Sequence, residues 1–409
     1  MVFTRAFLPE MQGVILSHLS TPELKNCALV APDWNREATR LLWHSIKFKA
    51  SESIVGDIAR ASEKFSRFIN ELTLQAQRDP YVRRLALDLD GFVHHQESHS
   101  SIETAEACLT VPWELITRAF KPMYRLQYLD LYGSVFSPRL ASTICQALSG
   151  APICAIYSSI PIPRVLDYYA NWVSTIKDVL LNNITDSQEL PRLPHLRFIA
   201  SDMPEVVANF MITSPVESIC MYGVRSSKSE LAAVINAINA QTTTGISTLR
   251  SVYLRQFLNE TMTLRELMNS LESPTLEHIH LVLDGVKWSE SFDLADYIAS
   301  CLEDASNSMS RALPSLRSLR FELYDPYLDI IPSQCLPPER GSSYLITEAG
   351  LRFSMWLQRF DHPALLEHIE VYSLGSVPDT PPKSAYRIVD IEAIRSPAIP
   401  GRLLESSDL

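Results

Sequence analysis

Leu126-Gln127-Tyr128-Leu129-Asp130-Leu131-Tyr132 spaces its leucines by three residues and then by two, and the same phrase returns along the chain. It recurs as Val82-x-x-Leu85-x-Leu87, Ile176-x-x-Val179-x-Leu181 and, shortened, Leu196-x-x-Ile199. Further copies are Val216-x-x-Ile219-x-Met221, Leu249-x-x-Val252-x-Leu254, Leu276-x-x-Ile279-x-Leu281, Leu316-x-x-Leu319-x-Phe321 and Leu366-x-x-Ile369-x-Val371. The last two apolar positions are one strand period apart, so each full copy predicts a short strand with a buried face. Helical spacing fills the gaps, at 140–148, 204–211, 229–240, 264–271, 292–302 and 345–360. Strand and helix in alternation predict an α/β fold with parallel strands.

These repeats resemble the leucine-rich-repeat family, whose plan is a solenoid (horseshoe) with strands along one face and helices along the other. The repeats are irregular and long: the shortest step, Leu196 to Val216, is 20 residues, and the longest, Leu316 to Leu366, is 50. The asparagine that the family places after the third apolar position is nearly absent, with only Leu181-Asn182-Asn183 coming near. An ordinary open α/β sheet is the rival. Against it, one phrase recurs throughout, and with 12 glycines in 409 residues no glycine-rich phosphate loop opens a helix.

The first fifty residues follow other rules. Pro9 stands where a helix can start, and Met11, Val14, Ile15, His18 and Leu19 recur at helical steps. Ser20-Thr21-Pro22-Glu23 has capping-box spacing and opens a second helix, with Leu24, Cys27 and Ala28 as its inner stripe. Leu29-Val30 closes that helix. Pro32 then begins a third, with Trp34, Ala38, Leu41 and Leu42 on one face and Trp43 at its end. A module this small, carrying two tryptophans, is expected to complete its core against something else.

Leu8-Pro9-Glu10, Ile15-Leu16-Ser17-His18-Leu19, Leu24 to Val30, Trp34-Asn35-Arg36 and Leu42-Trp43 together resemble the F-box family, in the form found ahead of repeats in fungal proteins. The family usually has one more residue between its Leu-Pro pair and the Ile-Leu-x-His-Leu segment; here either Leu8-Pro9 has shifted or Phe7-Leu8 takes its place. The resemblance implies docking onto the adaptor of an SCF-type cullin-RING ubiquitin ligase. Leu8, Pro9, Ile15, Leu19, Leu24, Cys27, Leu29, Val30, Trp34, Leu42 and Trp43 are the adaptor-binding candidates. The alternative is a stand-alone repeat scaffold whose helical N-terminus is a cap. The expected layout is a helical module over 1–48, a helical linker over 49–80, the solenoid over 81–376 and a C-terminal cap or tail over 377–409.

Catalytic chemistry finds little material. His94, His95 and His99 form the one dense histidine group, in a serine-rich polar stretch without the H-E-x-x-H arrangement, so no metal and no cofactor is expected. No nucleophile elbow appears, and the carboxylate pairs have no partner that sequence places beside them. The expectation is a non-catalytic receptor that binds a client protein. A formal charge of -11 disfavours a nucleic-acid partner. Seven single cysteines suit a reducing compartment, and no apolar run approaches a membrane span. Location in the cytoplasm, the nucleus or both is expected.

The client would meet the strand residues that alternate away from the core. These are Asp130 and Tyr132, Cys220 and Tyr222, Tyr253 and Arg255, His280 and Val282, Arg320 and Glu322, and Glu370 and Tyr372. Tyrosine and arginine offer large contact area with a polar tip, although strand propensity alone also enriches tyrosine.

Overall fold

Every copy of the repeated phrase for which the sequence predicts a strand is one. The computed structural model describes residues 9–30, 32–49, 58–75, 81–88, 111–132, 138–158, 170–181, 192–221, 228–243, 248–257, 264–284, 309–324 and 368–374. The chain divides into two compact units, Met1–His195 and Leu196–Leu409.

The first unit opens with α1 (Pro9–Ser17), α2 (Thr21–Cys27) and α3 (Pro32–Leu42). It continues through β1 (Ser45–Lys49), α4 (Ile58–Leu74), β2 (Arg84–Asp88), α5 (Trp113–Phe120), β3 (Tyr128–Tyr132), α6 (Pro138–Ala147), β4 (Ala155–Ser158) and β5 (Asp178–Leu181). Its strands pair in chain order, all parallel, with Ile46, Leu85, Leu129, Ile156 and Val179 in one row. The second unit comprises β6 (Phe198–Ser201), α7 (Pro204–Thr213), β7 (Ser218–Met221), α8 (Lys228–Thr243), β8 (Ser251–Phe257), α9 (Leu264–Ser270), β9 (His278–Asp284), β10 (Ser318–Tyr324) and β11 (His368–Leu374). Here too every pairing is parallel, with Ile199, Ile219, Val252, Ile279, Leu319 and Ile369 aligned. The fold is α/β: short N-terminal helices, then parallel sheets of repeating strand–helix units, consistent with a leucine-rich-repeat solenoid.

Two of these strands escape the sequence pattern. β1 carries Trp43-x-x-Ile46-x-Phe48, with an aromatic residue where the phrase elsewhere begins with an aliphatic one. β4 carries Ile153-x-x-Ile156-x-Ser158, with a buried serine in the third apolar place. Counting β4 breaks the long step from Leu126 to Ile176 into two steps near the family's usual period. β1 also changes the expected layout: the segment assigned to the helical module ends inside the first strand of the sheet. The helical linker over 49–80 contains α4, the helix that packs on that strand. Phe48 meets Phe65 edge-on with centroids 5.3 Å apart, and Phe68 at 4.9 Å. Phe48→Ala should therefore destabilise the first unit by about 3 kcal/mol, measured by denaturant melting.

Consecutive repeats are stitched by a recurring pair of backbone bonds. The carbonyl just before each strand accepts two N–H groups from the next repeat: His44 from Arg83 and Arg84, Arg83 from Gln127 and Tyr128, Gln127 from Cys154 and Ala155. In the second unit Arg197, Glu217, Arg250 and Glu277 do the same. Hydroxyls supply the cross-repeat bonds that the missing asparagines do not: Thr175 Oγ1 donates to the Ile153 carbonyl at 2.6 Å, Thr248 to Val216 at 2.9 Å and Thr275 to Leu249 at 2.8 Å. On the helical side, Asn239 donates to the Ser270 carbonyl at 2.8 Å and accepts from the Glu272 N–H at 2.9 Å, tying α8 to the end of α9.

The helices expected at 292–302 and 345–360, the tail over 377–409, and His94, His95 and His99 lie outside the described residues. Among the described residues no helix is long and apolar enough to cross a membrane, and no group of three His, Cys, Asp or Glu side chains could hold a metal ion.

Candidate docking surfaces

The N-terminal helices form a small core of Leu16, Leu24 and Ala38, against which Leu19, Cys27, Ala28, Trp34, Leu41 and Leu42 pack. Leu16 is the inward residue of α1, and it falls outside the stripe that the sequence suggests. Met11, Val14 and Ile15 of that stripe are exposed, as is His18. Leu24, expected at the adaptor interface, is buried: α2 is short and its one fully buried side chain is needed for the module's own core. Leu19, Cys27, Trp34, Leu42 and Trp43 are half-buried, whereas Ile15, Leu29 and Val30 face solvent. Pro9 is the first residue of α1, and Leu8 lies outside the described residues.

The turn after α2 is firmly built. Leu29 N–H donates to the Asn26 carbonyl and Val30 N–H to that of Cys27, while Asn35 Nδ2 reaches back from α3 to the Ala28 carbonyl at 2.6 Å. Leu29 and Val30 are thus held out at 85% and 73% exposure by an ordered turn. At the other end of α2, the Glu23 carboxylate accepts from the Ser20 N–H and hydroxyl, both at 2.7 Å. These bonds hold Glu23 below the usual carboxylate range and realise the predicted capping contact. Gly13 lets α1 pass close to α3, since a β-carbon there would sit 3.1 Å from Glu37 Oε1. Glu37 is itself gripped by Arg40, whose Nε and Nη2 donate to it at 2.6 to 3.0 Å.

The first residue of each candidate client pair occupies one register position. Lys47, Ala86, Asp130, Tyr157 and Leu180 align across the first unit, and Ala200, Cys220, Tyr253, His280, Arg320 and Glu370 across the second. Phe48, next to Lys47, points at α4, so by strand alternation this row lies on the face away from the helices. Tyr132 follows Asp130 on the same face and is half-buried. Arg255 lies in β8, and Glu370 and Tyr372 in β11. Tyr222 is outside the described residues.

The expectation that this row offers open contact surface needs correction. Asp130, Cys220, Tyr253 and His280 are buried, and Arg320 is half-buried. Residues one strand apart stand only about 4.8 Å from each other, so large side chains in the row cover one another. Tyr253 and His280 meet edge-on with ring centroids 4.6 Å apart. Asp130, wholly shielded, accepts from Arg84 Nε at 2.8 Å, and Arg84 Nη2 lies 2.6 Å away. Its Oδ1 has no hydrogen-bond partner among the described residues. Burial raises the Asp130 pKa despite the Arg84 charge. Burial likewise pushes the Cys220 thiol up to about 12, which keeps it protonated and unreactive. No protein-family model matches the sequence, and no curated protein matches it either.

Proposed function

We propose that this chain is a substrate receptor of an SCF-type cullin-RING ubiquitin ligase, its N-terminal helices docking on the ligase adaptor and its repeats holding a client protein. The observation that carries the proposal is the distribution of exposed apolar side chains. Among the described residues nine large hydrophobic side chains are exposed, and Met11, Val14, Ile15, Leu29 and Val30 are five of them, all within the first three dozen residues. Isolated exposed apolar residues are ordinary, but this concentration on a module with a three-residue core suits a surface that a partner covers. The ordered turn under Leu29 and Val30 lowers the entropy lost when they insert into a partner.

In this role the chain contributes proximity. It holds client and ubiquitin-transfer machinery together, and the reacting groups belong to other subunits. The second reading, a repeat scaffold with a helical cap, draws support from the continuity of α3 with β1 through Trp43 and His44. A cap, however, works best with a polar outer face, which Leu29 and Val30 do not provide. Co-purification of the full chain with the ligase adaptor separates the two. The receptor reading expects a stoichiometric complex, and a folded chain that passes through without adaptor leaves the scaffold reading standing.

A further inference from the structure

The residue just before each strand, whose carbonyl receives the next repeat, differs in charge logic between the two units. In the second unit the row reads Arg197, Glu217, Arg250, Glu277, Arg317, with Arg197 and Glu217 3.8 Å apart, Arg250 and Glu277 3.8 Å apart, and Arg317 and Glu277 4.0 Å apart. Each cation has a carboxylate beside it. In the first unit the row reads His44, Arg83, Gln127, Cys154, Lys177 and holds no acid. Arg83 Nη1 donates to the Arg125 carbonyl at 2.9 Å, which brings a second arginine to the same edge. The Arg125 guanidinium lies 5.7 Å from the Tyr124 ring centroid. Tyr124 and Tyr128 are among the exposed large side chains, at 52% and 36%.

Neither Arg83, Arg125 nor Lys177 forms an ion pair among the described residues; the first unit's pairs there are Arg40 with Glu37, Arg67 with Glu63 and Arg84 with Asp130. Burial lowers the His44 pKa, and the charges of Arg40 and Arg83 lower it further. Asp178, which follows Lys177 and shares a register row with Tyr128 and Ala155, is an acid beside this edge; its charge reaches Tyr128 and Cys154, while Arg84 and Lys177 oppose it there.

We propose that this strand-entry edge of the first unit is a docking surface for an acidic peptide segment, its carboxylates meeting Arg83, Arg125 and Lys177 and its backbone lying over Tyr124 and Tyr128. In a chain of formal charge -11, arginines that form no ion pair among the described residues stand beside exposed tyrosines and supply charge complementarity and large rigid contact area, whereas each arginine of the equivalent row in the second unit has a carboxylate beside it. The site is independent of the N-terminal helices, so it stands whether or not those helices bind an adaptor.

Fluorescence anisotropy of the full chain with a labelled glutamate-rich peptide tests it. Binding at low ionic strength that fades with added salt is expected. Arg125→Glu combined with Lys177→Glu should weaken binding at least ~10-fold, and Tyr124→Ala should weaken it less. Arg250→Glu, on the row where each arginine has a carboxylate beside it, should leave it unchanged. Neither Arg125 nor Lys177 donates a side-chain hydrogen bond among the described contacts, and an unshifted melting curve confirms that the doubly substituted chain is folded. The proposal is overturned by absence of peptide binding, by equal loss on Arg250→Glu, or by a DNA duplex of matched charge displacing the peptide preferentially.

Discussion

Arg84→Ala should destabilise the protein by about 3 kcal/mol at neutral pH, because it leaves a buried carboxylate without its cation. Asp130 is fully shielded, and among the described residues Arg84 is its one hydrogen-bond donor, through one oxygen. The effect has a defined pH dependence. The Asp130 pKa is already raised by burial, and removing the guanidinium raises it further. A carboxyl group with a folded pKa above its unfolded value stabilises the fold below the unfolded pKa, and that contribution is lost as pH rises through the folded pKa. The deficit of Arg84→Ala relative to the parent protein should therefore be small in acid and grow toward neutrality, as followed by urea melts at several pH values. Asp130→Asn keeps an acceptor and removes the charge, so it should cost much less. A deficit that is flat with pH, or an Asp130→Asn variant as unstable as Arg84→Ala, would contradict this account of the pair.

The second large effect concerns docking. Leu29→Asp with Val30→Asp should reduce adaptor binding by at least 2 to 4 kcal/mol, roughly the range for anchor residues at interface centres, while melting is unchanged. Both side chains are exposed, so the charges meet water in the free protein and face desolvation only in the complex. Leu24 would be a poor choice for this purpose: it shares the module's core with Leu16 and Ala38, and Leu24→Asp would unfold the helices it is meant to probe. Leu16→Ala serves as the opposite control, costing about 3 kcal/mol of module stability and weakening docking only through unfolding.

The strands were readable because the three-and-two spacing of apolar residues directly expresses a buried strand face. β4 was hidden by Ser158, a small polar residue that the interior tolerates at the third position. β1 was hidden because Trp43 and His44 also close a helical pattern, so one stretch satisfies two rules. Ser201 had the same effect in the shortened copy, and there its hydroxyl accepts from the Met203 N–H at 3.1 Å, at the entry to α7. Register, and hence which residues form the row away from the helices, followed from the same spacing. Exposure of that row did not, because it depends on how Arg84 covers Asp130 in the first unit and how Tyr253 and His280 cover each other in the second, in each case from neighbouring strands. The same limit applies to α1, where helical spacing defines a stripe but only packing against α2 and α3 decides that Leu16 faces in and Val14 out.

The central claim is that the N-terminal helices are half of an interface. Isothermal titration calorimetry of the full chain with the purified ligase adaptor tests it most directly. The account predicts saturable binding of one adaptor per chain with a negative heat-capacity change, because apolar surface at Val14, Leu29 and Val30 leaves water on association. It also predicts loss of that signal in the variant carrying Leu29→Asp and Val30→Asp. A correctly folded chain that gives no binding heat at any temperature, or binding that the double substitution leaves intact, would contradict it.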